Sequence, residues 1–252
     1  MKRIGVILLI IFLVWLTGSV ILPLVFNVTS RAWSTLLLLY CVISYLIIPW
    51  FGKLYNHFKD HKFIPYRTTT TDGFLADPIN FAVKGSLEDL NRAMTKAKWH
   101  TAEQINLSSI IKMVKSILLK KSYPTAPVSS LYLLGRKQDV AFQQEVDNNP
   151  HKRHHVRFWK YTDLSDKNRE NIWVGAATYD VGVKLSALSG QFTHRIEGDV
   201  DKERDYLAKT LKKANKVKIE NFPASGYHYR SKNGGGDAFY TDGKLFLCYL
   251  NN

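Results

Sequence analysis

The chain has 252 residues, 46% of them hydrophobic, with 35 Lys and Arg against 21 Asp and Glu, a formal charge of +14. Its two cysteines, Cys41 inside an apolar run and Cys248 among the last few residues, fall in different physical phases, which makes a bridge between them implausible, and the polar remainder is long enough to fold without a disulfide or metal. The charge is unevenly spread: residues 1–51 hold no acid and only Lys2, Arg3 and Arg31, so the remaining 201 residues carry 32 basic and 21 acidic side chains, a net +11. An excess of that size suggests an anionic partner, of which membrane lipid, a phosphorylated ligand and nucleic acid are the candidates; a charge that only aids solubility accounts for it equally.

Ile4 to Phe26 is an uncharged run of 23 residues, about 34 Å as a helix and long enough to cross a hydrocarbon core. After a turn at Asn27 to Arg31, a second uncharged run extends from Trp33 to Phe51, with Trp33 and Trp50 near its ends. Together they predict a two-helix transmembrane anchor over residues 1–51. Lys2 and Arg3 before it, and Lys53, Lys59 and Lys62 after it, outweigh Arg31 between the spans and predict a cell-membrane protein with both termini cytoplasmic. A cleaved secretory signal is the rival reading, but the first apolar run is too long for one and a second span follows at once. Asn27-Val28-Thr29 matches a glycosylation acceptor by spacing alone and lies too near the bilayer to serve.

Residues 52–76 read as a linker, rich in Lys and His and ending in the Thr68 to Thr71 run and Asp72-Gly73. A strand is predicted from the alternation of Ile79, Phe81 and Val83, ended by Gly85. Ser86 and Asp89 form a capping-box pattern before a helix whose apolar positions are Leu87, Leu90, Ala93, Met94 and Ala97. A second helix, Ser108 to Lys121, has Ile110, Ile111, Val114, Ile117 and Leu118 as its apolar stripe and lysines elsewhere. Packing on a sheet is its expected use, a membrane surface the alternative.

Beyond Pro124 and Pro127 come strand-like runs at Ser130 to Gly135, Val140 to Val146, His154 to Tyr161, Ile172 to Tyr179 and Gln191 to Ile196. A third helix, Val200 to Ala214, has acids at its start and lysines at its end, matching the helix dipole. A strand at Val217 to Phe222 follows, then a hairpin of Ala238 to Tyr240 and Leu245 to Leu250 with Asp242-Gly243 as its turn. Helices and strands mix without strict alternation. The fold class is α+β: an N-terminal transmembrane helical hairpin followed by a mixed α+β soluble domain, residues 77–252, with a mainly antiparallel sheet.

The best chemical candidate is Arg153 to Trp159. On a strand, Arg153, His155, Arg157 and Trp159 share one face and His154, Val156 and Phe158 the other. Three basic groups at alternate positions form a ladder about 13 Å long, suited to a phosphate or polyanion. A solvated strand face paired with acids on a neighbour accounts for the same pattern, and Arg136 joins this set as a further candidate ligand. By the same parity His194 shares a face with Phe192 and Ile196, so His154 and His194 are expected to point inward. On neighbouring strands they could meet, and with Asp180, Asp199 or Asp201 supply acid-base chemistry or bind a metal, whereas each taken alone reads as a satisfied core histidine. No metal is predicted, because the spacing lacks a ligand signature, and Asp199, Asp201 and Glu203 are explained by a helix start. Gly234-Gly235-Gly236 lacks the Lys-Ser/Thr and helix of a phosphate loop and reads as a flexible turn; Ser129, Ser130 and Ser225 lack a nucleophile elbow. No cofactor is predicted.

Several segments together resemble the LssY C-terminal domain family: Asp77-Pro78-Ile79-Asn80 with Gly85-Ser86; Pro127 through Arg136, with Gln138-Asp139 and Ala141-Phe142-Gln143; Arg153 through Arg157; Trp173 through Asp180; and Thr193-His194 with Asp199 through Asp205. The likeness covers nearly all of residues 75–250. It implies no particular reaction. Other members carry this domain fused to multi-span modules of the DedA type or to a lipid-phosphate phosphatase module, which implies work on envelope lipids; those modules are absent here, and their activity does not transfer. Three functions follow. The first is a tethered module that binds an anionic lipid head group or phosphorylated ligand through Arg153, His155 and Arg157. The second is a hydrolase of envelope lipid or phosphate esters using His154, His194 and Asp180. Nucleic-acid binding comes last, without a motif and against the membrane tether.

Overall fold

The computed structural model describes residues 15–16, 19–20, 30–58, 66–119, 121–147, 149–161, 171–186, 189–223 and 229–250. The first apolar run therefore lies almost wholly outside the described residues, as do Asn27 to Thr29, Lys59, Lys62 and Ser225. The second run is helical: α1 (Ser30–Val42) passes through a π-helical turn, Ile43–Ile47, into α2 (Ile48–Phe58). Within it, Trp33–Gly52 is the one helical stretch among the described residues long and apolar enough to cross a membrane. One side of this helix meets the rest of the chain. Tyr40 Oη donates to the Gly190 carbonyl, and Gln191 Nε2 donates to the Ser44 carbonyl at 2.7 Å. Leu36, Leu39, Ile43, Ile47 and Trp50 are exposed.

The stretch read as a linker contains structure. Its threonine run forms β1 (Arg67–Thr70), which turns at Asp72-Gly73, with φ 87° at the glycine, and returns antiparallel as β2 (Leu75–Pro78). β-Branched threonines favour a strand whatever their polarity. The strand expected across Ile79 begins only at β3 (Phe81–Lys84), because Asn80 interrupts it: its side-chain amide pairs with both the N–H and the carbonyl of Ala177, each at 2.9 Å, copying a peptide. The capping box is present, Ser86 Oγ accepting from Asp89 N and an Asp89 carboxylate oxygen from Ser86 N, both at 3.1 Å, and starts α3 (Leu87–Lys96).

After β4 (His100–Thr101) and α4 (Leu107–Leu119), a short hairpin of β5 (Leu131–Leu133) and β6 (Arg136–Lys137) completes a four-stranded sheet in the order β2-β1-β5-β6. The larger sheet is built around three long strands, β7 (Val140–Val146), β8 (Asn149–Lys160) and β9 (Ile172–Leu185), with β10 (Phe192–Ile196) on the far half of β9. Then come α5 (Val200–Ala214), β11 (Lys218–Pro223), β12 (Tyr229–Lys232), β13 (Ala238–Thr241) and β14 (Lys244–Tyr249). The main path runs β11-β14-β3-β9-β8-β7-β4, every pairing antiparallel except β14 with β3, so the fold is mixed α+β with mainly antiparallel sheets.

The expected final hairpin is not formed. β13 pairs with β12 and β14 inserts between β11 and β3, because the Asp242 carboxylate is held by Arg204 at 2.6 Å and caps Lys244 N, turning the chain from one sheet to another. The large sheet is covered on both faces. α3 and α5 pack on one, burying Leu90, Met94, Leu207 and Leu211 against Phe81, Phe142, Val156 and Phe158. The small sheet approaches the other, with Ala76, Leu131, Trp159 and Ala176 between them. Since both faces are already occupied, α4 has no sheet left to cover. Ile111 and Val114, expected in its packed stripe, are exposed, and Ser109 and Ser116 are buried instead.

Candidate functional site

The pleat of β8 divides its residues as alternation requires. Val156 and Phe158 enter the core under the helices, while Arg153, His155 and Arg157 point toward the small sheet. These last three are not a solvated face. Their exposures are 3%, 2% and 5%, and guanidinium groups buried to that degree need partners. Asp180 lies opposite Arg153 in the β8–β9 register and accepts from its Nε at 3.0 Å. Asp77 of β2 accepts from Arg157 Nη1 at 3.2 Å, and the Ser129 carbonyl accepts from Arg157 Nε at 3.0 Å. Arg153 Nη1 also reaches Gln143 Oε1 at 3.0 Å, and Gln143 Nε2 holds the Pro124 carbonyl at 2.7 Å. The arginines thus pin residues 124–129 and β2 onto the large sheet.

Between the sheets lies a cleft of about 280 Å³, near the lower limit for small-molecule sites. Arg153, His155, Arg157, Asp180 and His194 all border it. Its rim is rich in hydroxyls, among them Thr70, Ser130, Ser186 and Thr193. Burial pushes the Asp180 and Asp77 carboxyls up, opposed by Arg153 and Arg157 respectively. His155 is driven well below the usual imidazole range, first by burial and then by Arg157 and Arg153, so its ring is neutral. Its Nε2 lies 2.8 Å from Thr178 Oγ1. Its Nδ1 is 3.4 Å from Asp180 Oδ2 but off the line of a hydrogen bond, leaving a buried ring nitrogen without a hydrogen-bond partner. His194 Nδ1 is 3.5 Å from Arg153 Nη2 and 4.0 Å from the same Asp180 oxygen.

His154 is not part of this cleft, which corrects the expected meeting of His154 with His194. β9 separates their strands, and His154 faces the helices while His194 faces the cleft. His194 does share its side of β10 with Ile196, as parity requires, but Ile196 pairs with Asp180, so that side is the cleft face and not the helix face; parity within one strand does not tell which face of the sheet it meets. The His154 ring stacks on Tyr206 with centroids 3.8 Å apart, and its Nδ1 lies 2.6 Å from Glu203 Oε2. Burial lowers His154 to about 4 and raises Glu203 well above the usual carboxylate range. Both shifts favour the uncharged forms, so the contact is a neutral hydrogen bond from a protonated carboxyl to the imidazole, not an ion pair.

Arg136 is also elsewhere. It sits exposed on β6, donates to the Lys160 carbonyl and pairs with Asp139 at 3.3 Å. Asp199 caps α5 by accepting from Asp201 N at 3.2 Å, and Asp201 accepts from Thr241 Oγ1 at 2.8 Å. Among the described residues no three His, Cys, Asp or Glu side chains are grouped to hold a metal. The triple glycine is an ordered turn on the cleft wall. Asn233 Oδ1 accepts from Gly235 N at 3.0 Å and Asp237 N at 2.8 Å, and a Cβ at Gly234 would fall 2.1 Å from Thr70 Cγ2.

Asp77, Thr178 and Gln143 were not recognised as site residues from the sequence. Their signal is the complement of the arginine ladder: Ala176, Thr178 and Asp180 place small and polar groups at alternate positions of an otherwise apolar strand.

Residues 61–245 match the family model described as LssY C-terminus. No curated protein and no solved structure matches the chain.

Proposed function

The chain belongs to the LssY C-terminus family, and we propose that its cleft binds the phosphate-bearing head group of an anionic lipid, or a phosphorylated ligand, at the membrane surface. The observation that carries this reading is the convergence of Arg153, His155, Arg157 and His194 on one cleft instead of on open solvent. The arginines are largely engaged by Asp180, Asp77, Gln143 and Ser129, so they preorganise the cleft floor. Beside them the cleft is bordered by the His155 and His194 imidazoles and by hydroxyls such as Thr70, Ser130 and Thr193, groups whose chemistry suits phosphate and polyol oxygens. The membrane attachment in this proposal is the two-span hairpin of residues 1–51 with both termini cytoplasmic, supported by the apolar helix Trp33–Gly52 and the basic residues flanking the spans.

The test is a thermal-unfolding series on the full chain in detergent with inorganic phosphate, glycerol phosphate and phosphatidylglycerol as separate additions. A ligand that binds only the folded state raises the midpoint by mass action. Phosphate or its esters should raise it for the wild type and not for His194→Ala, a partly exposed position. A lipid-only response would identify the head group of a bilayer lipid as the ligand. No shift with any of the three, or an equal shift in the variant, refutes the reading.

A second reading, hydrolysis of a phosphate or ester bond in envelope lipids, draws on Asp180 Oδ2 lying 3.4 Å from one imidazole Nδ1 and 4.0 Å from the other. His194 would act as the base with Asp180 orienting it, in place of a His154 pair. Release of inorganic phosphate from phosphatidic acid by the full chain, lost in His194→Ala at an unchanged unfolding midpoint, is its signature.

A further inference from the structure

Helix α4 is turned the opposite way from an ordinary surface helix. Ser109 and Ser116 face inward at 0% and 5% exposure, where Ser109 Oγ accepts from Asn106 N at 2.9 Å and Ser116 Oγ donates to the Lys121 carbonyl. On the outer side Leu107, Ile111, Val114 and Leu119 stand 47% to 61% exposed. Positions 107, 111 and 114 are one stripe at helical spacing, roughly opposite the two serines. Serine hydroxyls turned inward and branched aliphatics turned to water is a costly arrangement unless something apolar covers the helix.

The charges around the stripe identify what covers it. Lys115 and Lys121 are exposed beside it, Lys112 is exposed farther round and pairs with Glu103 at 3.2 Å, and between Glu103 and Asp139 the sequence holds no acid. A second copy of the chain would bring these lysines against their own kind, and lysine is depleted in protein interfaces generally. An apolar stripe bordered by lysines is instead the pattern of a helix lying in the plane of an anionic bilayer, with its aliphatics among the acyl chains and its ammonium groups at the lipid phosphates.

We infer that α4 is a second membrane contact of this protein, docking flat on an anionic lipid surface through Leu107, Ile111, Val114 and Leu119. Ile105, half exposed two residues before the helix, borders the cleft, so this docking brings the cleft mouth to the lipid. The inference rests on the membrane attachment proposed above and not on what the cleft binds.

The test uses the full chain with Cys41→Ser, carrying an environment-sensitive fluorophore on Val114→Cys or, as control, on Lys209→Cys of α5, in nanodiscs containing shallow spin-labelled lipid. With phosphatidylglycerol present, quenching at position 114 should be several-fold stronger than at 209. It should fall toward the control in pure phosphatidylcholine and in the Lys112→Gln, Lys115→Gln, Lys121→Gln variant. Equal quenching at the two positions overturns the proposal, as does a shielded but unquenched label at 114 that depends on the number of chains per disc, the mark of a second copy. Failure to co-elute with the nanodisc overturns the attachment reading and this inference with it. Because Ile111 and Val114 are half exposed already, at 47% and 49%, Ile111→Asp with Val114→Asp should leave the unfolding midpoint nearly unchanged while abolishing the phosphatidylglycerol-dependent quenching of a label at Leu107→Cys.

Discussion

Arg153 and Asp180 face each other across the β8–β9 register, and their side chains close that pairing with a 3.0 Å contact at 4% and 3% side-chain exposure. Removing one partner of such a pair strands the other charge in a poorly solvated interior, which costs about 3–5 kcal/mol, whereas replacing both with apolar groups is far milder. Asp180→Leu should therefore lower the urea unfolding free energy by that amount, and Arg153→Met in the same chain should restore a large part of it. Additive losses would show that the two groups act separately.

The His154–Glu203 contact sets a pH window for stability. His154 has a folded value of about 4 against its ordinary 6.5, so as pH falls below 6.5 the unfolded chain takes up a proton the folded one refuses. Glu203 is raised above its ordinary 4.5, so as pH rises above 4.5 the folded chain keeps a proton that the unfolded one releases. Between 4.5 and 6.5 the two effects oppose each other. Above 6.5 the His154 effect is complete, and a Glu203 carboxyl still protonated there lowers the pair's contribution by about 1.4 kcal/mol per pH unit until it ionises. Glu203→Gln, whose amide still donates to His154 Nδ1, should remove this alkaline decline; urea unfolding of both proteins from pH 5 to 9 measures it. An unchanged slope in the variant would mean that the carboxyl is already ionised.

Gly175 on β9 lies opposite Phe158 on β8, and a Cβ there would come within 2.6 Å of the Phe158 ring. Gly175→Ala must displace a fully buried ring, which costs on the order of 1–3 kcal/mol. Phe158→Leu should recover part of that loss in the double variant. Thermal unfolding of the two single variants and the double variant reads out the coupling.

Much of this architecture was readable from local signals. The limits of β7 and α5 coincide with Val140 to Val146 and Val200 to Ala214, and the capping box at Ser86 formed, because alternation, dipole matching and capping act over a few residues. The facing of Arg153, His155 and Arg157 on one side of β8 was legible for the same reason. What covers that side was not. Whether the ladder meets water, Asp180 or Asp77 depends on pairings separated by 27 and 80 residues, and on a second sheet whose threonine strand looked like a linker. The separation of His154 from His194 needed the strand order and the pairing of Ile196 with Asp180, neither of which leaves a periodic trace. The stripe on α4 was visible, but its outward direction followed only once α3 and α5 had taken the sheet face.

The parallel pairing of β14 with β3 joins residues 246–249 to residues 81–84 in the middle of the large sheet. During synthesis, β3 leaves the ribosome long before its neighbour, and until residue 249 has emerged both β3 and β11 present bare edges able to recruit strands from other nascent chains. The closing step is thus the insertion of a late hexapeptide into a waiting slot. Translation halted a few codons short of Tyr249 should leave a polypeptide with its helices formed and its sheet open, a natural client for chaperones that hold exposed strands apart.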